Sequence, residues 1–303
     1  MSVVSAAFRS DVTRIRFGSR RNRSKYICRF DSPPVSNSKR GCNVLGLTKE
    51  QIERYGRHIV LAEVGAGGQE KIIAGRALLI GAGGLASPVA YYLAASGVGT
   101  IGLIDDDVVS ASNLQRQVLH FTNDVGRPKV VSAREKLAAI NPSCRLITFQ
   151  ERLTAANVME IIKDFDVVVD CTDNFEVRFL ANDACVQTGK PFFHGAVLRF
   201  FGQAMTILPG EGPCYRCVFN SPPPPARVQT SAEVGLLSLL PGTIGTIQAT
   251  EVLKYFLGIG DLLVGKMLSY SALTMEFSKI EIRKNQACPA CGHSGTAPAG
   301  NRT

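Results

Sequence analysis

The sequence predicts an α/β fold: a doubly wound, mainly parallel sheet with helices on both faces and an antiparallel C-terminal extension. Three observations carry this reading. Short, uniformly apolar runs, Ala77–Ile80, Ile101–Ile104 and Val167–Val169, alternate with longer stretches of helical period, as expected of strands buried on both faces between crossover helices. The first run passes directly into a glycine-rich turn, Gly81-Ala-Gly83-Gly84, and an apolar helix. Near the end, Met275, Phe277, Ile280 and Ile282 are spaced as in a half-buried antiparallel strand.

Each element follows from local chemistry. The ordered chain begins at Leu47, because Thr48-Lys-Glu-Gln51 fits a capping box, with Thr48 as cap and Gln51 reaching back. Ile52, Tyr55, Ile59 and Val60 recur at helical spacing, and Gly65–Gly68 breaks the pattern before the first strand. The glycine turn leads to a helix from Val89 to Ala95 and a second buried strand, Ile101–Ile104, ending in Asp105-Asp106-Asp107. Length and pattern are those of a βαβ unit. Helical signals over about 127–140 and 154–163 precede the strand Val167–Val169, which ends at Asp170, and a further helix is expected over about 175–188. A strand near 191–194, a β-rich stretch around 203–208, a helix from about Ile244 to Leu257, and strands at Lys266–Tyr270 and Met275–Ile282 follow. Pro222–Pro225 marks a rigid exposed loop and the expected boundary within the domain.

The bulk properties exclude several classes. With 303 residues, 45% of them hydrophobic, the chain can build a large α/β core, yet no apolar run approaches the length of a membrane span. Ten of the 34 basic residues but only two of the 25 acidic ones lie within residues 1–40, so the formal charge of +9 belongs to the N-terminus and the remainder is near neutral. A nucleic-acid-binding surface on the core is therefore not expected. Residues 1–46 read as a disordered basic extension, 47–293 as one nucleotide-binding domain, and 294–303 as a disordered tail. The extension is Arg- and Ser-rich, like an organellar transit peptide; a basic tail or a misassigned start codon fits the same composition. The expected location is cytoplasmic, with plastid or mitochondrion as the alternative.

Gly81-x-Gly83-Gly84-x-Ala86 is a near match to the Rossmann-like dinucleotide fingerprint. Small residues let the backbone approach phosphate, whose charge meets the amides of a helix N-terminus. Asp105, about twenty residues on, stands where an acid accepts hydrogen bonds from ribose hydroxyls. These features alone would point to NAD. The following segments are cationic and polar, Ser112-Asn-Leu-Gln-Arg116 and Arg127-Pro-Lys129, and a triphosphate under attack needs such a clamp where a dinucleotide does not. Asp170 could equally serve the site or cap the next turn. The four histidines share no spacing, so structural or exposed roles are expected for His58, His120, His194 and His293.

Two Cys-x-x-Cys pairs, Cys214/Cys217 and Cys288/Cys291, lie about seventy residues apart. Their spacing suits a closed tetrahedral Zn²⁺ site tying the C-terminal end to the fold. A redox dithiol is the rival, but Cys214-Tyr-Arg-Cys217 lacks the βαβ context of a thioredoxin-like centre. Cys144, Cys171 and Cys185 read as small buried hydrophobes.

Taken together, Gly81–Gly84, Ser112-Asn-Leu-Gln-Arg-Gln117, Gly126-Arg-Pro-Lys129, Asp170-Cys-Thr-Asp-Asn174, Cys214-Tyr-Arg-Cys217 and Cys288-x-x-Cys291 resemble, in the same order, the motifs of the ThiF/MoeB/HesA family. These adenylyltransferases activate ubiquitin-like sulfur carriers, and the motifs resemble those of the molybdopterin-synthase adenylyltransferases among them. The resemblance covers Leu47 to Gly292. It implies that ATP with Mg²⁺ binds at Gly81, Gly83 and Gly84, that Asp105 holds the ribose, and that Ser112, Asn113, Gln115, Arg116 and Lys129 line the phosphates. It further implies that Asp173 lies by the metal ion, that Asn174 belongs to the same cofactor site, and that Arg57 reaches into a neighbouring subunit's site in a homodimer; Asp107 is a second carboxylate suited to Mg²⁺.

The implied reaction is attack by the C-terminal Gly-Gly carboxylate of a small β-grasp sulfur carrier on the α-phosphorus, releasing pyrophosphate, in molybdopterin, thiamin or related sulfur transfer. The sulfur would come from a separate donor such as a cysteine desulfurase or rhodanese. One departure stands out: many members carry a cysteine in the loop after the proline run, where this chain has Ser231. A hydroxyl cannot carry sulfane sulfur, so adenylation should survive and covalent transfer through this position should not. Two other functions compete: an NAD-dependent oxidoreductase, for which no His or Tyr stands in a hydride-transfer motif, and a non-catalytic nucleotide-binding scaffold.

Overall fold

The computed structural model describes residues 46–224 and 231–292. The expected N-terminal extension, apart from Gly46, and the C-terminal tail with His293 lie outside them. The described residues all fall within one compact unit, Asn43–Thr303, which is not divided at the proline run.

Thr48 caps the first helix, α1 (Lys49–Ile59), through both halves of a capping box: Gln51 N donates to Thr48 Oγ1 at 3.3 Å and Thr48 N to Gln51 Oε1 at 2.8 Å. Such a cap contributes about 1 kcal/mol. The glycines that follow do not interrupt the helical structure as expected; they open a second helix, α2 (Gly65–Ala74). Tertiary packing overrides propensity there, because a Cβ on Gly68 would lie 2.8 Å from Leu257 Cδ2, so only glycine allows α2 to sit this close to its neighbour.

Five strands follow a parallel pattern: β1 (Arg76–Ile80), β2 (Thr100–Ile104), β3 (Arg145–Phe149), β4 (Val167–Asp170) and β5 (Phe192–Leu198). Three more extend it antiparallel: β6 (Phe201–Ile207), β7 (Lys266–Ser271) and β8 (Glu276–Glu281). The single eight-stranded sheet runs β3-β2-β1-β4-β5-β6-β7-β8. Parallel pairing is in register from Ala77–Ile101 to Ile80–Ile104 on one side of β1 and from Ala77–Val167 to Ile80–Asp170 on the other. The chain therefore runs outward from β1 through β2 to β3, crosses back to β4 and runs outward on the other side, and the crevice between β1 and β4 is the switch point at which such sheets bind ligands.

Alternation within the strands divides the core. Leu79, Ile101, Leu103 and Val169 pack on one face, against α3 (Ala86–Ser96), α4 (Lys129–Ile140) and α9 (Leu239–Leu257). Leu78, Ile80, Ile104 and Val168 pack on the other, against α5 (Val158–Ile162), α6 (Phe175–Thr188) and the short α7 (Tyr215–Val218). Leu78 and Leu79 are fully buried, each stabilising the fold by about 1.5–3 kcal/mol. A four-residue α8 (Ser231–Val234) begins at Ser231.

The sheet differs from expectation at both edges. β3 carried no uniformly apolar run and is only partly buried, being the outermost parallel strand. β8 is not half-buried: all six residues are exposed, because it is the outermost strand at the other edge. Its Phe277 stacks on Tyr270 of β7 with ring centroids 4.3 Å apart.

Candidate functional site

The carboxyl ends of β1, β2 and β4 converge on the glycine turn. Gly81 has φ +95°, a region that disfavours L side chains, and a Cβ there would lie 3.0 Å from Cys171 O. The turn and the loop after β4 thus touch backbone to backbone. Asp105 closes the other side: its Oδ2 accepts from Ala82 N at 2.7 Å and its Oδ1 from Asp107 N at 2.8 Å.

Lys129, the first residue of α4, is 5% exposed, and its Nζ lies 2.7 Å from Asp107 Oδ2 and 3.9 Å from Asp105 Oδ1. A buried ammonium is thereby held among carboxylates at the end of β2. The carboxylates of Asp105, Asp106 and Asp107 come within 4.8 Å of one another, hard oxygen donors of the type that suits Mg²⁺.

The segment with Ser112, Asn113, Gln115 and Arg116 wraps over the same turn. The Oγ atoms of Ser112 and Ser110 are 3.0 Å apart, Asn113 and Arg116 are partly buried, and Gln115 is exposed. The Arg116 stem lies 3.7 Å from where a Gly84 Cβ would stand, and its Nη1 donates to Ser112 O at 3.3 Å. His120 pins this segment, with Nε2 2.8 Å from Ala82 O and Nδ1 2.9 Å from Ser132 Oγ. Burial outweighs those contacts and lowers its pKa.

Asp173 is exposed on the loop between β4 and α6. The residues on either side of it are fixed through their amides: Thr172 N donates to Asp170 Oδ1 (3.1 Å), and Asn174 N to Thr172 Oγ1 (3.0 Å). Asn174 Oδ1 caps α6 by accepting from Val177 N at 3.2 Å, so that oxygen is engaged locally. Beside the loop, a cavity of about 540 Å³ is lined by Arg152, Leu153, Thr154, Glu176, Val177 and Leu180.

Sequence reading missed what lies beneath Asp173. Asp170 is fully buried and is both a turn cap and the centre of a polar network: Arg178 Nε and His194 Nδ1 lie 2.8 and 2.7 Å from its Oδ2. Gln248 Nε2 donates to Asp170 O at 2.8 Å and Phe193 O at 3.0 Å. Burial would raise the Asp170 pKa, but the Arg178 charge and the His194 hydrogen bond lower it overall. Burial lowers that of His194, leaving it neutral, with Nε2 3.3 Å from Gln203 Nε2. Arg178 sits four residues past the Asn174 cap, a signal visible only once helix phase is known.

Arg57 lies exposed on α1, and no contact among the described residues brings it to this cluster. The four cysteines do converge. Their sulfurs lie within 4.8 Å of one another, with Cys214–Cys288 at 3.6 Å and Cys217–Cys291 at 3.4 Å. A tetrahedron with Zn–S of about 2.3 Å requires sulfurs about 3.8 Å apart, so the cage fits that ion closely. Asn285 N donates to Cys217 Sγ at 3.4 Å, the outer-shell contact a metal thiolate takes. Cys144, Cys171 and Cys185 are buried, and burial raises their thiol pKa values, that of Cys144 to about 11; they serve as core.

The model of the ThiF family matches residues 55–290. The chain is 46% identical over 254 residues to a sulfur carrier protein adenylyltransferase of Thermus thermophilus, covering 82% of this chain and 94% of that one. It is 47% identical over 251 residues to the SAMP-activating enzyme E1 of Haloferax volcanii, covering 83% and 93%. Among solved structures, that of E. coli MccB with MccA-N7isoASN superposes with a TM-score of 0.70 at 21% identity, over 80% of this chain and 74% of that one, a likeness of fold.

Proposed function

The chain belongs to the ThiF family, and we propose that the convergence of its glycine turn, buried lysine and fixed aspartate loop serves nucleotide activation. It is an adenylyltransferase that uses ATP to adenylate the C-terminal carboxylate of a ubiquitin-like sulfur carrier protein. The observation that carries the site assignment is Lys129: a cation buried at the carboxyl end of β2 beside Asp107 and Asp105, the latter bonded to the Ala82 amide of the glycine turn.

The chemistry asks for little beyond placement and charge. A carboxylate oxygen of the carrier's Gly-Gly end attacks the α-phosphorus of ATP. The bond from that phosphorus to the bridging oxygen of the β-phosphate breaks, and pyrophosphate leaves with the electron pair. The nucleophile is already an anion, so no general base is needed; the barrier lies in bringing it to a polyanion in line. The amides after Gly81 meet the phosphates, Asp105 holds the ribose with the lone pairs its backbone donors leave free, and Lys129 and Arg116 neutralise charge on the phosphate oxygens. Leu153, Val177 and Leu180 offer apolar surface for the base.

Asp173 and Asp107 would hold Mg²⁺, which when bound withdraws charge from the phosphate oxygens. Cys214, Cys217, Cys288 and Cys291 would hold Zn²⁺, which ties the C-terminal end to α7. Arg57 acts in trans, in a homodimer. Ser231 takes no covalent part, so sulfur reaches the adenylate from a separate donor protein.

The test is pyrophosphate–ATP exchange. Exchange should appear only when a carrier ending in Gly-Gly is supplied together with Mg²⁺. Exchange that ignores the carrier, or NADH binding in place of ATP, would overturn the reading.

A further inference from the structure

Three buried side-chain atoms among the described residues have no hydrogen-bond partner: Arg76 Nε, Gln117 Oε1 and Gln248 Oε1. Arg76 begins β1, at the end of the sheet opposite the glycine turn, and Gln248 is anchored by the two bonds of its own nitrogen. Gln117 is different. It is 6% exposed, and its amide lies against the glycine turn: a Cβ on Gly83 would stand 3.4 Å from Gln117 Nε2 and 3.8 Å from Cδ. The nitrogen is the atom facing the turn, and the oxygen is enclosed.

An enclosed, unpaired amide oxygen costs about 1–3 kcal/mol, and native proteins keep few of them. The backbone gives this residue no freedom to escape that cost. Gln117 N donates to Asn113 O (3.0 Å), His120 N to Gln117 O (3.0 Å), and Leu119 N to Ser87 Oγ (3.3 Å). The segment is thereby fixed to α3 and the turn, with Arg116 against Gly84 and Gln117 against Gly83. A leucine would fill the same space without a polar atom to bury, so packing alone does not account for the amide.

We propose that Gln117 is a direct ligand of the nucleotide, donating an amide N–H to a phosphate oxygen above Gly83. Phosphate oxygens only accept hydrogen bonds, and the amide nitrogen brings two donors. Being uncharged, it fixes the position of the triphosphate without adding to the charge of Arg116 and Lys129. Arg116 and Gln117 thus flank the Gly83–Gly84 step as one charged and one neutral donor. This rests on the reading of the glycine turn as an ATP site.

Gln117→Leu in the full chain separates a ligand from a packing residue. Titration calorimetry with ATP and Mg²⁺ should give a Kd about tenfold weaker than wild type. The melting midpoint of the ligand-free protein should be unchanged or raised by about 2–4 °C, because the unpaired oxygen is gone. A Kd within twofold of wild type overturns the proposal, and a lowered midpoint with that unchanged Kd identifies the amide as structural. If the leucine variant does not fold, Gln117→Glu keeps the shape; it should weaken binding more than tenfold, and an unchanged Kd again overturns the proposal. A wild-type chain that binds no ATP would instead overturn the functional reading, an outcome distinct from variants that match a binding wild type.

Discussion

Arg178 holds Asp170 through Nε at 2.8 Å and, with the other arm of the same guanidinium, Thr172 O through Nη2 at 2.7 Å. Asp170 holds the amide of that same Thr172. Thr172, the residue just before Asp173, is therefore gripped at both its own N–H and its own C=O by one buried ion pair.

Removing Arg178 should be costly. Arg178→Ala leaves the Asp170 carboxylate buried without its cation, and loss of one partner of a buried pair typically costs about 3–5 kcal/mol. Urea unfolding should show a loss of that size. Arg178→Lys keeps the charge but cannot span both acceptors, so its loss should be smaller.

Asp173→Asn should behave in the opposite way. The side chain is exposed, so stability should stay within about 0.5 kcal/mol of wild type. Carrier-dependent pyrophosphate exchange should fall by about 10²-fold or more, the scale of losing one preorganised electrostatic contact. Full exchange in this variant would remove Asp173 from the mechanism.

Acid should destabilise the fold earlier than carboxylate titration alone requires. Burial lowers the pKa of His194 and of His120 from 6.5, so each is neutral when folded and gains a proton more readily when unfolded. Stability from such a group is present above the unfolded value and is lost as pH falls below about 6.5. Asp170, whose folded pKa is also lowered, acts in the same direction at lower pH. Melting midpoints should drop between pH 7 and pH 5.5. His194→Gln should flatten that drop, and an identical slope would exclude His194 as a contributor.

Metal analysis of the purified chain should find about one zinc per chain. Cys217→Ser should lose the ion and lower the melting midpoint, because α7 and the segment after β8 would no longer be joined. Its effect on stability should exceed that of Cys144→Ser, a thiol that lies outside the cage.

Local pattern made much of this molecule legible. The apolar runs of β1, β2 and β4 and the Thr48 capping box fell where periodicity and cap chemistry put them, because the middle of a strand buried on both faces is apolar and a polar residue such as Asp170 comes at its end. The glycine turn and the two Cys-x-x-Cys pairs were readable because a tight strand-to-helix turn and paired thiols each leave a fixed local spacing, and the fold brings the four sulfurs within 4.8 Å of one another. β3 and β8 were read less well, since a sheet edge relaxes the very pattern that marks a strand.

The sequence alone determined most of the order of strands and helices, the glycine turn after β1, and the four cysteines that the fold brings together. Only the tertiary structure decided that α2 begins within a glycine run, that Arg178 and His194 meet on Asp170, and that Gln117 is buried beside Gly83 with an unpaired oxygen. The reason is physical: spacing along a chain constrains neighbours within a turn or two. Burial, and with it the cost of an unpaired polar atom, exists only after distant segments have packed together.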